Sequence, residues 1–170
     1  ISAKAIMIPA GQTTGSVTFT ALHDTLNETN ETVLVDINTV TDGTENGVQQ
    51  RSISITDDDA PPSVALSINA VTLNEEGATT SVTVTVTINT LSGQDVTVLL
   101  EKSGTATSTV DYVLSDSTNT IIIAAGTLSG SLSLTALPDL LNEFDETVIL
   151  DIATVKNGTE NVVQQKIVTI

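Results

Sequence analysis

Alternation of apolar and polar residues with a period of two runs through much of this chain. Between Ser81 and Ile88 aliphatic residues alternate with threonines, an arrangement that puts the two kinds of side chain on opposite faces of a strand. Turn-forming Gly, Asn, Asp and Ser separate the runs, and short strands at such spacing are typical of antiparallel sandwiches or barrels. The pattern therefore predicts an all-β chain. Further strands are predicted at Val96–Leu100, Thr120–Ile123, Ser129–Leu137, Thr147–Ile152 and Val163–Ile170.

The chain also contains an internal repeat. Residues 8–11 (IPAG) match residues 123–126 (IAAG), residues 26–28 (LNE) match 141–143, and residues 43–46 (GTEN) match 158–161. Every pair is separated by 115 residues without a gap, which indicates a tandem array. We interpret residues 1–59 as the C-terminal half of one repeat, 60–62 as a proline-rich seam, and 63–170 as nearly all of the next repeat.

Net charge narrows the range of functions. Five Lys and Arg stand against 21 Asp and Glu, for a formal charge of −16, which argues against nucleic acid and anionic membrane surfaces as partners. No apolar run reaches the ~18 residues of a membrane helix, so we expect no membrane insertion. The chain has no Cys and one His, so most nucleophilic and acid–base triads are excluded. We expect that the protein is not an enzyme.

Acidic residues concentrate between the predicted strands and at the seam. Carboxylates that converge at one end of a sandwich repel each other unless a cation lies among them, and oxygen ligands in sets of about six to eight suit Ca²⁺. The bland alternative is that this charge keeps a Thr-rich β-array soluble and prevents edge-to-edge association. The candidate acids are Asp24, Glu28, Glu31, Asp57, Asp58, Asp59, Glu75, Glu76, Asp111, Asp139, Glu143, Asp145 and Glu146.

Four segments together resemble the Calx-β repeat family, known from the cytosolic calcium-binding domains of sodium–calcium exchangers and from large bacterial surface proteins. The resemblance covers essentially the whole chain. The segments are LNEEG at 73–77, SGTA at 103–106 followed by DY at 111–112, IAAG at 123–126 followed by the acids of 139–147, and ISITDDD at 53–59.

The resemblance implies tandem immunoglobulin-like antiparallel β-sandwiches of about seven strands each, with calcium bound at one end. It implies ligand roles for Glu75 (or its neighbour Glu76), Asp111, Asp139, Glu143 and Glu146 in the second repeat. In the first repeat it implies the same roles for Asp24, Glu28 and Glu31, with Asp57, Asp58 and Asp59 as the terminal acidic cluster. Where calcium-sensing members carry consecutive aspartates, this chain has Leu137-Pro138-Asp139-Leu140 and Leu22-His23-Asp24-Thr25, so we expect fewer ions or weaker binding.

We expect a structural stalk or spacer of a large secreted or cell-surface bacterial protein, an adhesin or gliding-type filament, whose repeats are stiffened by Ca²⁺. The partners would be neighbouring repeats, with lateral or tip protein or glycan partners. The chain reads as a piece of a longer protein, and the repeat predicts a T-D-D-D continuation after Ile170. One alternative is a calcium-sensing regulatory module. Another is a protein- or glycan-binding adhesion module, although aromatic residues make up only 2% of the chain.

Overall fold

The computed structural model describes residues 4–77, 80–140 and 142–170, and these residues form strands and loops without a helix, which confirms the all-β prediction. Accordingly, the described residues include no helix long and apolar enough to cross a membrane. The described part of the chain has eleven strands: β1 (Glu31–Val35), β2 (Arg51–Ile55), β3 (Ser63–Ile68), β4 (Ser81–Ile88), β5 (Val96–Gly104), β6 (Tyr112–Leu114), β7 (Thr120–Ile123), β8 (Ser129–Ala136), β9 (Thr147–Lys156), β10 (Thr159–Glu160) and β11 (Lys166–Thr169).

Strands β3 to β11 form two sheets. One has five strands in the order β10-β3-β4-β8-β6, and the other has four in the order β11-β9-β5-β7. Neighbouring strands pair antiparallel, except that β10 runs parallel to β3. Strands that follow each other in the chain therefore often belong to different sheets, as β4 and β5 do. This topology sends the connecting loops to the two ends of the sheets.

The two sheets share one aliphatic core, as in a β-sandwich. In β4 the side chains of Val82, Val84, Val86 and Ile88 are buried while the intervening hydroxyl residues face outward. Burial of such aliphatic side chains contributes about 1.5–3 kcal/mol each. The core residues are Val64, Leu66, Leu73, Val82, Val84, Val86, Ile88, Val96, Val98, Leu100, Tyr112, Leu114, Ile121, Ile123, Leu132, Leu134, Ala136, Val148, Leu150, Ile152 and Val168.

The predicted strands correspond closely to the observed ones in this sandwich. Strands β4 and β7 have the predicted bounds, whereas β5 and β9 run further than predicted. Strand β8 ends at Ala136 because the next N–H, that of Leu137, donates to the carbonyl oxygen of Asp111 instead of to a strand. Strand β11 begins at Lys166 rather than at Val163. The intervening Gln164 uses its side-chain amide to bond the backbone of Val64 and Leu66 at 2.8 Å each.

The period-two search did not select β1, β2, β3, β6 or β10. Strands β6 and β10 have only three and two residues, too few for a periodic signal. Strand β3 does alternate, with Val64 and Leu66 buried, but it follows directly on Pro62. The prolines just before β3 indicate a linker, so the sequence did not predict a strand at this position.

Residues before the seam repeat the geometry of the sandwich 115 positions later. Strand β1 pairs with β2 so that Thr32 lies opposite Ser54, and β9 pairs with β11 so that Thr147 lies opposite Thr169. A Cβ atom at Gly15 would collide with the Met7 carbonyl oxygen, and one at Gly130 would collide with that of Ile122. The repeat thus preserves strand register and close backbone approach as well as residue identity.

The β1–β2 hairpin buries much less than its counterpart. Val33 is only half-buried, while Val148, the residue 115 positions later, is fully buried between the two sheets. A two-stranded sheet is at best marginally stable by itself. The stable core of the described residues therefore belongs to the sandwich of residues 63–170.

Truncation of one leucine in the sandwich and of one in the β1–β2 hairpin should show which of the two regions holds the stable core. Leu150→Ala removes a side chain with no exposed surface and should lower the free energy of unfolding of the sandwich by about 2–5 kcal/mol. The control is Leu34→Ala on β1, where the side chain is 61% exposed and the expected change is about 0.5 kcal/mol or less. Urea denaturation followed by circular dichroism measures both. Equal losses would contradict the assignment of the core.

Candidate metal centre

Three loops meet at one end of the sandwich, and each carries predicted calcium ligands. They connect β3 to β4, β5 to β6 and β8 to β9. Backbone hydrogen bonds join two of these loops to the C-terminal end of β11. The Leu73 N–H donates to the Thr169 carbonyl oxygen at 2.8 Å, and Glu146 and Ile170 exchange two bonds at 2.9 and 3.0 Å. We call the five carboxylates of this end, Glu75, Asp111, Asp139, Glu143 and Glu146, the acidic end.

Asp111 is the most firmly placed member of the acidic end. Its side chain is only 8% exposed, and its Oδ2 atom accepts the Thr107 N–H at 2.5 Å. Its backbone N–H donates to the Thr107 carbonyl oxygen at 2.9 Å, and its own carbonyl oxygen accepts the Leu137 N–H at 2.8 Å. One residue therefore closes its own turn and holds the β8–β9 loop against it.

Glu146 lies against this carboxylate. A side-chain hydrogen bond with Asp111 raises the pKa of Glu146, and partial desolvation and the charges of Asp111, Glu143 and Glu75 raise it further. Two carboxyl groups can share a hydrogen bond only when a proton lies between them. At neutral pH this contact is therefore unfavourable unless a positive charge replaces that proton.

Glu143 is affected by neighbouring charges in the same way. Partial desolvation raises the pKa of Glu143, and so do the charges of Asp139, Asp111 and Glu75. Among the described residues no Lys or Arg forms a salt bridge with Glu75, Asp111, Glu143 or Glu146. The mutual repulsion of these carboxylates is therefore not relieved by a basic side chain in contact with them.

A second group of acids lines a groove in the preceding repeat, at the seam. The groove has a volume of about 650 Å³, and Lys4 and apolar side chains of β1 and β2 also line it. His23 Nδ1 lies 3.9 Å from Asp58 Oδ1, with both side chains largely exposed. The acids of this groove are Asp24, Glu28, Glu31, Asp57, Asp58 and Asp59.

Local hydrogen bonds shape the seam around these acids. Asp24 Oδ1 accepts the Leu26 N–H at 2.9 Å, which turns the loop after the aspartate. The Asp57 N–H donates to Asn30 Oδ1 at 2.9 Å. The loop before β1 and the linker after β2 are thereby held side by side.

Oxygen donors of this kind suit Ca²⁺, but the side chains are not closed around an ion. Within residues 4–77, 80–140 and 142–170, no group of three or more His, Asp or Glu side chains is arranged to hold a metal ion. The structure therefore gathers the predicted ligands into two clusters without forming a coordination sphere. A bound cation would need side-chain rotations that draw the carboxylates inward.

Sequence reasoning missed two asparagines that organise the seam. Asn30 accepts the Asp57 N–H, and Asn27 donates its Nδ2 hydrogens to Asp57 Oδ2 at 3.2 Å and to the Asp59 carbonyl oxygen at 3.1 Å. The available signal was the LNE triplet at 26–28, which recurs at 141–143.

No protein-family model matches this chain, and no curated protein sequence matches it. The resemblance to Calx-β repeats therefore rests on the residues quoted above.

The stability of the acidic end should depend on pH. Because folding raises the pKa of Glu143 and Glu146, the native state binds more protons than the unfolded chain just above their ordinary pKa. Their contribution to stability is therefore lost as pH rises through the raised pKa values. Without calcium, Glu143→Gln should raise the melting temperature at pH 7 and change it little at about pH 4.

Glu76→Gln is the matched control, because Glu76 lies in the β3–β4 loop beside Glu75 but is not among the charges that raise the pKa of Glu143 or Glu146. Thermal melts at a series of pH values compare the two variants with the parent. The same gain at pH 7 in both variants would show that net charge, and not the cluster, is responsible.

Proposed function

We propose that this chain is a stalk or spacer segment of a large secreted or cell-surface bacterial protein, built from tandem Calx-β-like repeats and stiffened by Ca²⁺. The observation that carries the proposal is the convergence of five carboxylates from three loops at one end of the sandwich, where their interactions raise the pKa of Glu143 and Glu146. The related loop of the preceding repeat faces the acidic linker Asp57–Asp59.

The strand order supports the immunoglobulin-like part of this proposal. Such sandwiches place their first, second, fifth and fourth strands in one sheet and their third, sixth and seventh in the other. The order β3-β4-β8-β6 and the order β5-β9-β11 follow that arrangement when β7 and β10 are counted as short additions. The loops of the acidic end then all lie at the same end of the sandwich.

Calcium would act at the acidic end once side-chain rotations draw its carboxylates inward. Asp111, held by its turn, would be the fixed ligand, and Glu146, Glu143, Asp139 and Glu75 would supply the other carboxylate oxygens. The ion would supply the positive charge that the Asp111–Glu146 contact lacks at neutral pH. At the seam, Asp57–Asp59 would face Asp24, Glu28 and Glu31 across the groove, and a cation there would connect the linker to the preceding repeat.

The stalk function follows from how the repeats connect. Only the linker of residues 56–62 separates β2 of one repeat from β3 of the next, and Pro61 and Pro62 fix their own φ angles. A linker this short, once its carboxylates are neutralised, favours a defined angle between repeats over free rotation. Reach and stiffness are the properties that a repetitive, acidic, aliphatic β-array supplies.

Calcium titration tests the metal part of the proposal. Calorimetry of the chelator-treated chain should show binding, and calcium at about 100-fold above its dissociation constant should stabilise the chain by roughly 2.7 kcal/mol.

Asp111→Asn keeps an oxygen that can accept the Thr107 N–H but removes the charge, and it should weaken binding at the acidic end about tenfold or more. Glu101→Gln, at an exposed position in mid-β5, is the matched control. Absence of calcium binding to the parent chain would overturn the metal part of the proposal.

Small-angle scattering tests the stiffening. With calcium, the distribution of interatomic distances should be narrower than with chelator, because neutralised carboxylates no longer push the linker and the loop apart and the joint is held at one angle. Identical scattering in the two conditions, at a calcium concentration that calorimetry shows to be saturating, would contradict calcium stiffening.

A further inference from the structure

A direct contact joins the loop before β1 to the β4–β5 loop on the far side of the seam. The carbonyl oxygen of Asn27 accepts the Gly93 N–H at 3.1 Å and the Ser92 Oγ hydrogen at 3.4 Å. Asn27 and Ser92 also form an isolated parallel β-bridge. Asn27 and Ser92 are 65 residues apart, so the contact spans two different repeats.

The side chain of Asn27 bonds to the linker itself. Its Nδ2 atom donates to Asp57 Oδ2 and to the Asp59 carbonyl oxygen at 3.2 and 3.1 Å. Asn27 is 9% exposed and Ser92 is 1% exposed, while the residues that flank Asn27 are mostly accessible. A single asparagine therefore connects three parts of the joint: its own loop, the linker and the next repeat.

The receiving turn is shaped for this contact. A Cβ atom at Gly93 would lie 2.6 Å from Glu28 Cγ and 2.6 Å from Glu28 Oε1. Gly93 does not have a positive φ angle, so its backbone conformation does not require glycine. A larger residue at this position would meet the exposed Glu28 side chain, which would have to move. Gly93 thus leaves room for the neighbouring repeat.

We propose that Asn27 is a lock residue, meaning that it fixes the orientation of consecutive repeats: its backbone carbonyl oxygen bonds to the Ser92–Gly93 turn, and its side chain holds the linker beside that contact. The lock consists of hydrogen bonds and close packing and needs no metal. The inference rests on the proposed stalk function for its biological use. Asn142, the residue 115 positions later, is exposed. It is therefore accessible to the Ser-Gly turn of a further repeat.

The pair Asn27 and Asn142 provides a matched test. The chain lacks Cys, so Ser52→Cys and Ser117→Cys, at exposed positions on either side of the seam, allow two spin labels to be attached selectively. Pulsed electron resonance then measures the distance distribution between them. In calcium and in chelator alike, the distribution should be about twofold wider or more in Asn27→Ala than in the parent, because this variant loses both side-chain hydrogen bonds to the linker. Asn142→Ala should match the parent in each condition.

A second variant changes the Ser92–Gly93 turn instead of Asn27. Gly93→Val leaves Asn27 unchanged but places a side chain where Glu28 lies, and it should widen the distribution as Asn27→Ala does. Distributions as narrow as that of Asn142→Ala in either lock variant would overturn the proposal, and so would equal widening by Asn142→Ala. Because the comparison is repeated in chelator, failure of the lock is separable from failure of calcium binding.

Discussion

Contact between two aliphatic sheet faces is the interaction on which the rest of this structure depends. The inner faces carry Val, Leu and Ile almost exclusively, and among the described residues Tyr112 is the single aromatic residue in the core. With such a core, stability comes from many similar contacts between flat faces and not from a few large anchors. The sandwich therefore tolerates long polar loops at its ends, provided that the alternation along each strand is kept.

The loops at one end of the sandwich bring acidic side chains together. Because the strands alternate between sheets, the loops after β3, β5 and β8 all emerge at one end, and carboxylates far apart in sequence become neighbours. Asp111 shows how the fold holds such a charge: the Thr107 N–H bonds one carboxylate oxygen, and Glu146 lies beside the carboxyl group. The hydrogen bond with Asp111 and the charges of the neighbouring carboxylates raise the pKa of Glu146. The aliphatic core holds this arrangement in place.

The internal repeat gives the two parts of the chain the same local geometry. Because β1–β2 and β9–β11 share one register, the loop before each pair has the same starting geometry, and an asparagine occurs at the same place in both. In the first repeat that asparagine reaches the Ser92–Gly93 turn. An array built in this way would define the angle between neighbours through a contact that each repeat carries at both of its ends.

The sequence by itself determined which side chains face the core and where the repeat falls, because period-two burial and the 115-residue offset are local or periodic properties. It therefore predicted β4 and β7 to the residue and selected the acids of both clusters. It did not indicate the short strands β6 and β10, or that Gln164 would bond to β3. Only the tertiary structure decided which loops meet, that Asp111 would be buried, and that Asn27 would dock onto Ser92 and Gly93. The physical reason is that these contacts depend on strand order and sheet packing, which bring together residues whose separation in the chain carries no periodic signal.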